Sequence, residues 1–252
     1  DVLQGWDGSN WYNSYQHIFT FDDNNNLTSN LFQQWAGQWE NSSKQTYTYD
    51  ASNNKTSYLD QSWYGNKWNN NWQNVYNYDS LNNLITHLLQ IWSSGGWVNN
   101  SQYIYTYDIN NNQTSNLQQN WNINKWENSA QDIYNYDANN NQTNHIKQYW
   151  NDAEWENFEL NTYTYEINNN LITNLCSRWY GGEWINFEKT NYTYDDNINQ
   201  IIVFRQGWNG SNWINGWQET FLYDSNNNPT KDFKQNWYGN KWVNSFLLIN
   251  KF

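Results

Sequence analysis

The chain lacks most of what builds a stapled, membrane-bound or nucleic-acid-binding domain. Among 252 residues there is one Cys, one Pro and no Met. Cys176 stands alone, so no intramolecular disulfide can staple the chain. The missing Met points to a processed product or a fragment, with any signal peptide removed or never part of this piece. No apolar run approaches the roughly 18 residues of a membrane-spanning helix, so membrane insertion is not expected. Charge is sparse, at 14% of residues, and unbalanced, with a formal net charge of -12. The 12 basic residues are scattered and form none of the stripes that phosphate backbones require. Nucleic acid and anionic membrane surfaces are therefore not expected partners.

Aromatic and amide side chains fill the space left by these absences. Trp, Tyr and Phe number 20, 21 and 10, and 53 residues are Asn. They recur on a clock of about 29 residues, the signature of a repeat architecture. An aromatic-x-aromatic-acid motif ends at Asp22, Asp50, Asp79, Asp108, Asp137, Glu166, Asp195 and Asp224. One Trp series runs Trp6, Trp35, Trp63, Trp92, Trp121, Trp150, Trp179, Trp208 and Trp237. A second runs Trp11, Trp39, Trp68, Trp97, Trp126, Trp155, Trp184, Trp213 and Trp242. Only Trp72 and Trp217 fall outside. Asn follows each second-series Trp by two residues and each acid by four. Composition never shifts, so residues 1–252 read as a single tandem-repeat β domain. Its units are W-turn-W hairpins joined by YxYDxxxN links, and the chain closes on Phe252 at a link aromatic.

Period and punctuation give the secondary structure. Leu or an equivalent lies four residues before the first Trp, as at Leu31, Leu59 and Leu117, and Gln lies two before, as at Gln33, Gln61 and Gln119. Residues two apart share one face of a strand. After the second Trp, the Asn at +2 and the aromatics at +8 and +10 have one parity and are expected on one face. Short polar turns such as Tyr64-Gly-Asn-Lys67 separate the paired Trp, and Gly and Asn supply the positive φ that tight hairpins need. The fold expected is all-β: nine tandem hairpin repeats forming an elongated superhelical sheet or β-solenoid, with a closed ring or propeller as the alternative.

Each repeat is too small to bury its own rings, so stacked repeats are expected to pack them into continuous Trp and Tyr columns. The recurrent Asn and Gln are expected to pair in amide ladders. Trp72, Trp217 and the turn residues Tyr64 and Tyr238 are the candidates for stacking a ligand instead. The link Asp108-Ile-Asn-Asn-Asn112 places oxygens at positions 1, 3 and 5 of a calcium-like loop. It lacks the Gly at position 6, and position 12, Gln119, lies on the next strand. Capping of the turn by Asp is the favoured reading there, calcium the lesser one, and no cofactor is expected. N-x-S/T sequons recur in one column at Asn26, Asn54, Asn112 and Asn141, which makes these the candidate glycosylation sites. His17, His87 and His145 sit in variable columns and read as exposed surface. No GxSxG, HExxH, P-loop or CxxC motif occurs, and no catalytic or metal-ligating set is proposed.

The segments YTYDINNNQTSNLQQNW and WYGNKWVN resemble the tandem-repeat, Asn/Trp/Tyr-rich extracellular proteins of Bacteroidota, many of which are type IX secretion substrates with a C-terminal sorting domain. The resemblance covers all nine hairpins, and no sorting domain is present in this sequence. YxYDxxxN is more weakly similar to the YD repeats of Rhs and teneurin proteins, and the Trp hairpins to choline-binding-type repeats. The resemblance implies a secreted or cell-surface location and no defined reaction. The function expected is non-catalytic: an extracellular fibre or adhesin subunit that associates head to tail. A glycan-binding module directed at cell-surface glycans is the alternative.

Overall fold

A computed structural model describes residues 1–249. Phe252 lies outside the described residues. The strands are β1 (Val2–Trp6), β2 (Trp11–Phe21), β3 (Leu27–Trp35), β4 (Trp39–Tyr49), β5 (Lys55–Tyr64), β6 (Lys67–Tyr78), β7 (Leu84–Ser93), β8 (Gly96–Tyr107) and β9 (Gln113–Asn122). They continue as β10 (Lys125–Tyr136), β11 (Gln142–Asn151), β12 (Glu154–Tyr165), β13 (Leu171–Tyr180), β14 (Glu183–Tyr194), β15 (Gln200–Trp208), β16 (Trp213–Tyr223), β17 (Pro229–Tyr238) and β18 (Lys241–Ile249). All belong to one sheet and pair antiparallel in chain order, hairpin after hairpin.

Two compact units can be distinguished. One comprises Asp1–Thr106 with Asn116–Ser129, the other Tyr107–Ser115 with the residues from Ala130 onward. Both are built from the same repeat.

Hairpin turns form where Gly and Asn tolerate the left-handed backbone. Gly65 and Asn66 take φ of 61° and 57° between Trp63 and Trp68, the two positive values of a type I′ turn. The same geometry is imposed on Ile123 and Asn124, at 42° and 64°. The Ile123 value is strained, because a β-branched side chain crowds its own backbone there.

A β-bulge in eight of the hairpins reorganises the faces expected from parity. Gln61 pairs with Asn70 but Asp60 pairs with Trp72, so Asn71 is an extra residue. The equivalent shift recurs in β1–β2, β3–β4, β7–β8, β11–β12, β13–β14, β15–β16 and β17–β18. A bulge inserts one residue and reverses the alternation beyond it. The Asn at +2 and the aromatics at +8 therefore lie on opposite faces, not on one. On β5 to β7 the first face carries Leu59, Gln61, Trp63, Trp68, Asn70, Gln73, Val75, Leu88 and Gln90. These are the recurrent residues, and we call this the framework face. The other carries Tyr58, Asp60, Trp72, Asn74, Tyr76, His87, Leu89 and Ile91, which differ from repeat to repeat apart from Tyr76, the first aromatic of the link motif. This is the variable face.

Packing is shallow. Among the described residues only Cys176, Val203 and Ser177 are buried, and no large side chain is completely enclosed. The Trp rings do not form the buried columns expected of them. Each faces the other Trp of its own hairpin, tilted in Trp6–Trp11 and edge to face in the others, as in Trp63–Trp68 at 4.9 Å and Trp150–Trp155 at 5.0 Å. Such pairs add about 0.5–1.5 kcal/mol beyond area burial. Most Trp remain half-buried, and Trp11 is 67% exposed.

Candidate functional site

The recurrent polar residues converge on the links. In the Asp137 link, Asp137 N–H donates to the Asn141 carbonyl and Asn140 N–H donates to the Asp137 carbonyl. The Asp137 carboxylate accepts the N–H groups of Asn139 and Asn141 on Oδ1, at 2.8 and 2.9 Å, and the Asn141 Nδ2 on Oδ2, at 3.0 Å. Asn140, at φ 65°, provides the left-handed residue that closes the turn. Asp22, Asp50, Asp79, Asp108, Asp195 and Asp224 cap their links in the same way. The Asn141 side-chain amide and then its backbone N–H hold the Asp137 carboxyl below the usual carboxylate range. Donors from the Asn at +4 likewise lower Asp22, Asp50, Asp79, Asp108, Asp195 and Asp224.

Two further bonds tie each link to a neighbouring repeat. The Asn at +4 donates its Nδ2 to the Oδ1 of the +3 Asn in the next link: Asn26 to Asn53, Asn54 to Asn82, Asn112 to Asn140, Asn141 to Asn169 and Asn199 to Asn227, all at 2.8–3.0 Å. The Tyr before the acid donates its hydroxyl to a carbonyl one repeat earlier, as in Tyr49 to Leu27, Tyr136 to Gln113 and Tyr165 to Gln142; the first link has Phe21 there. A third connection runs over the framework face. Gln73 donates to Gln90 and Gln90 to Asn99, at 2.7 and 2.8 Å, and the pattern repeats through Gln131, Gln148 and Asn157. These are the amide ladders expected from the composition.

One link departs from the rule. The +3 position after Asp195 is Ile198, which offers no side-chain acceptor to Asn170 and still adopts φ 69°. In the preceding link Glu166 replaces Asp. An open polar hollow of about 400 Å³ lies beside them, lined by residues including Glu166, Asn170, Asp195 and Ile198.

The variable face differs in chemistry along the chain. On β4 to β8 it is aromatic: Tyr47 and Tyr58 lie 5.2 Å apart, Tyr58 and Trp72 4.7 Å. His87 stacks on Tyr76 at 4.7 Å and on Tyr103 at 5.6 Å. The histidines are thus not the exposed positions expected. His87 is half-buried between rings, where desolvation and then Lys55 lower its pKa. His17 stacks on Phe19, and His145 lies 2.7 Å from Asp132. Burial, and then Asp60, push the Tyr58 hydroxyl up to about 12. On β12 to β17 the face is charged, with Arg178 near Glu159, Arg205 on Glu188, and Lys234 over Trp217 at 4.1 Å. Burial, followed by Glu159, raises the Cys176 thiol to about 12, so little nucleophilic thiolate is present near neutrality.

The residues singled out from the sequence fall in three settings. Asn26, Asn54, Asn112 and Asn141 are the ladder donors, each engaging its Nδ2 with the link Asp and the next link. Tyr64 and Tyr238 project from hairpin turns, 80% and 77% exposed. Trp72 and Trp217 share an equivalent position on the variable face, four residues beyond the second Trp. Sequence reasoning missed the bulge that puts them there. The signal was present: Asn70 and Gln73 belong to one ladder face yet are three residues apart, which regular alternation forbids.

No family model and no curated protein matches the chain. Similar solved structures include a Bacteroides fragilis protein of unknown function, 18% identical, with a TM-score of 0.39, covering 48% of this chain and 91% of that one. A DUF3836 family protein from Bacteroides vulgatus is 29% identical over 33% of this chain and 89% of its own, with a TM-score of 0.29. TcdB2-TccC3-TEV is 13% identical, with a TM-score of 0.33, over 92% of this chain and 13% of its own. These likenesses are distant and carry no argument about function.

Proposed function

We propose that the chain is a non-catalytic structural repeat protein of the cell exterior, a fibre or adhesin subunit. The observation that carries this reading is the use made of the recurrent polar groups. Link Asp, link Asn, link Tyr and framework Gln are the side chains a repeated binding or catalytic site would draw on; the Asp is engaged in capping its link, the others in bonding one repeat to the next. A scaffold keeps those bonds while the other face varies. Copies associate head to tail through exposed strand edges, a contact that need not close on itself. The acidic charge makes nucleic acid a poor partner.

Electron microscopy and light scattering of the purified chain across a concentration series test this. Filaments and a scattering mass that grows with concentration are expected. A monodisperse monomer at high concentration, with no fibres, would overturn the assembly.

A further inference from the structure

The position four residues beyond the second Trp is occupied in turn by Tyr15, Ser43, Trp72, Ser101, Ala130, Glu159, Glu188, Trp217 and Phe246. It lies on the variable face, outside the framework bonding. The two Trp there are in different states. Lys234 places its ammonium 4.1 Å from the ring centroid of Trp217 and covers it. Trp72 meets Tyr58 at a tilt of 46°. It also lines an open groove of about 440 Å³ with Asn71, Asn74, Leu89 and Ile91.

The polar groups around that groove are held in place. Asn71 Nδ2 donates to Asp60 Oδ1 and to Ser62 Oγ, both at 2.7 Å, which fixes the Asp60 carboxylate and leaves the Asn71 carbonyl as an acceptor. His87 Nε2 lies 2.6 Å from Asn74 Oδ1, which leaves the Asn74 amide N–H groups as donors. An apolar floor with a few oriented polar groups is the general design of a small-molecule site. An indole face with amides at its rim matches a sugar ring, which has an apolar C–H face and a hydroxyl edge. The groove is open, so an internal unit of a chain can enter it. The net charge of -12, and Asp60 across the strand pair from Trp72, select against acidic sugars.

We propose that the groove over Trp72 is a subsite for one pyranose ring of a neutral polysaccharide. A single stacking subsite binds weakly, and display of many chains along a filament would multiply it by avidity.

The test is native electrophoresis of the full chain in gels containing laminarin, mannan or soluble starch, with polygalacturonate as the acidic comparison. Retardation by at least one neutral polymer is expected. Trp72→Ala should weaken it by about tenfold or more, and Trp217→Ala should leave it unchanged. Thermal melts confirm that each variant folds. If Trp72→Ala does not fold, Leu89→Lys at the groove rim takes its place with the same expected loss. No retardation by any neutral polymer, retention by the groove variant equal to that of the parent, or preference for polygalacturonate would overturn the subsite. Each outcome is readable whether or not filaments form.

Discussion

The variable face of β4 to β8 and that of β12 to β17 rest on the same framework and carry opposite chemistries. The first holds Tyr47, Tyr58, Trp72, Tyr76, His87 and Tyr103 in ring contact. The second holds Glu159, Arg178, Glu188, Arg205 and Lys234 in charge contact. Both are backed by Asp-capped links and by framework amide bonds, Gln73 to Gln90 and Gln90 to Asn99 in the first, Gln206 to Asn215 and Gln218 to Gln235 in the second. The contrast teaches that stability and surface chemistry are assigned to different faces. What varies lies outside the amide ladders and meets the repeat mainly at the first link aromatic, as where His87 stacks on Tyr76.

The comparison breaks if variable-face changes cost as much as framework changes. The largest expected effect on the framework is collective and comes from acid. The seven link Asp have folded pKa values lowered below the ordinary one. Each contributes stability that is present above its unfolded value and lost as pH falls through the lowered folded value. Melting temperature should therefore drop steeply below about pH 4, after a smaller decline below about pH 6.5 as the lowered His87 is forced to charge. A flat profile from pH 7 to pH 3 would contradict the capping role.

Next in size is the Trp pair. Trp150→Ala removes one ring of a half-buried edge-to-face pair at 5.0 Å. A loss of about 2–3 kcal/mol is expected by denaturant titration, below the full core value because the ring is only half enclosed. Trp217→Ala on the variable face should cost about 1 kcal/mol or less. Equal losses at the two positions would erase the distinction between faces.

The interrupted ladder gives a gain rather than a loss. Ile198→Asn should relieve a β-branched residue at positive φ and offer an acceptor to Asn170, raising stability by about 1 kcal/mol. In the parent, Asn141→Ala should cost about 1 kcal/mol through its bonds to Asp137 and Asn169. Asn170→Ala should cost less, because its next-link partner is aliphatic. Reversal of that order, measured by thermal melting, would show that the ladder contributes nothing. The smallest effect belongs to the charged face. Glu188→Gln breaks a half-exposed pair with Arg205 and should shift stability by about 0.5 kcal/mol, less at high salt.

Most of this framework was legible in the residues. The Trp clock marked the hairpins, Gly-Asn pairs such as Gly65-Asn66 marked their turns, and the acid-to-Asn spacing marked the links. The amide ladders followed from the need to pair half-buried Asn and Gln. The bulge was not read, because its residue is Ser42, Asn71, Phe158 or Gly216 in different repeats and has no composition of its own. With the bulge missed, the faces were misassigned, and His87 could not be placed among its tyrosines. The buried Trp columns failed for a related reason. Ring burial was argued from abundance, whereas the bonds between repeats are made by polar groups at the links and leave the Trp to pair within hairpins. The Trp72 groove was visible only as an off-pattern residue.

The bonds between repeats also bear on how such a sequence can change length. Asn54 reaches Asn82, Asn112 reaches Asn140 and Asn141 reaches Asn169, each across 28 residues, while Tyr136 and Tyr165 reach back 23. Each bond closes between adjacent units. Excising a whole unit by recombination between two equivalent points would rejoin an intact donor to an intact acceptor of the same kind. Duplication does the same in reverse. Whole units can therefore be gained or lost with the bonding scheme intact, and a one-residue slip disturbs only the bonds that span it: Asn26 reaches Asn53 across 27 residues, and the later pairings keep their 28.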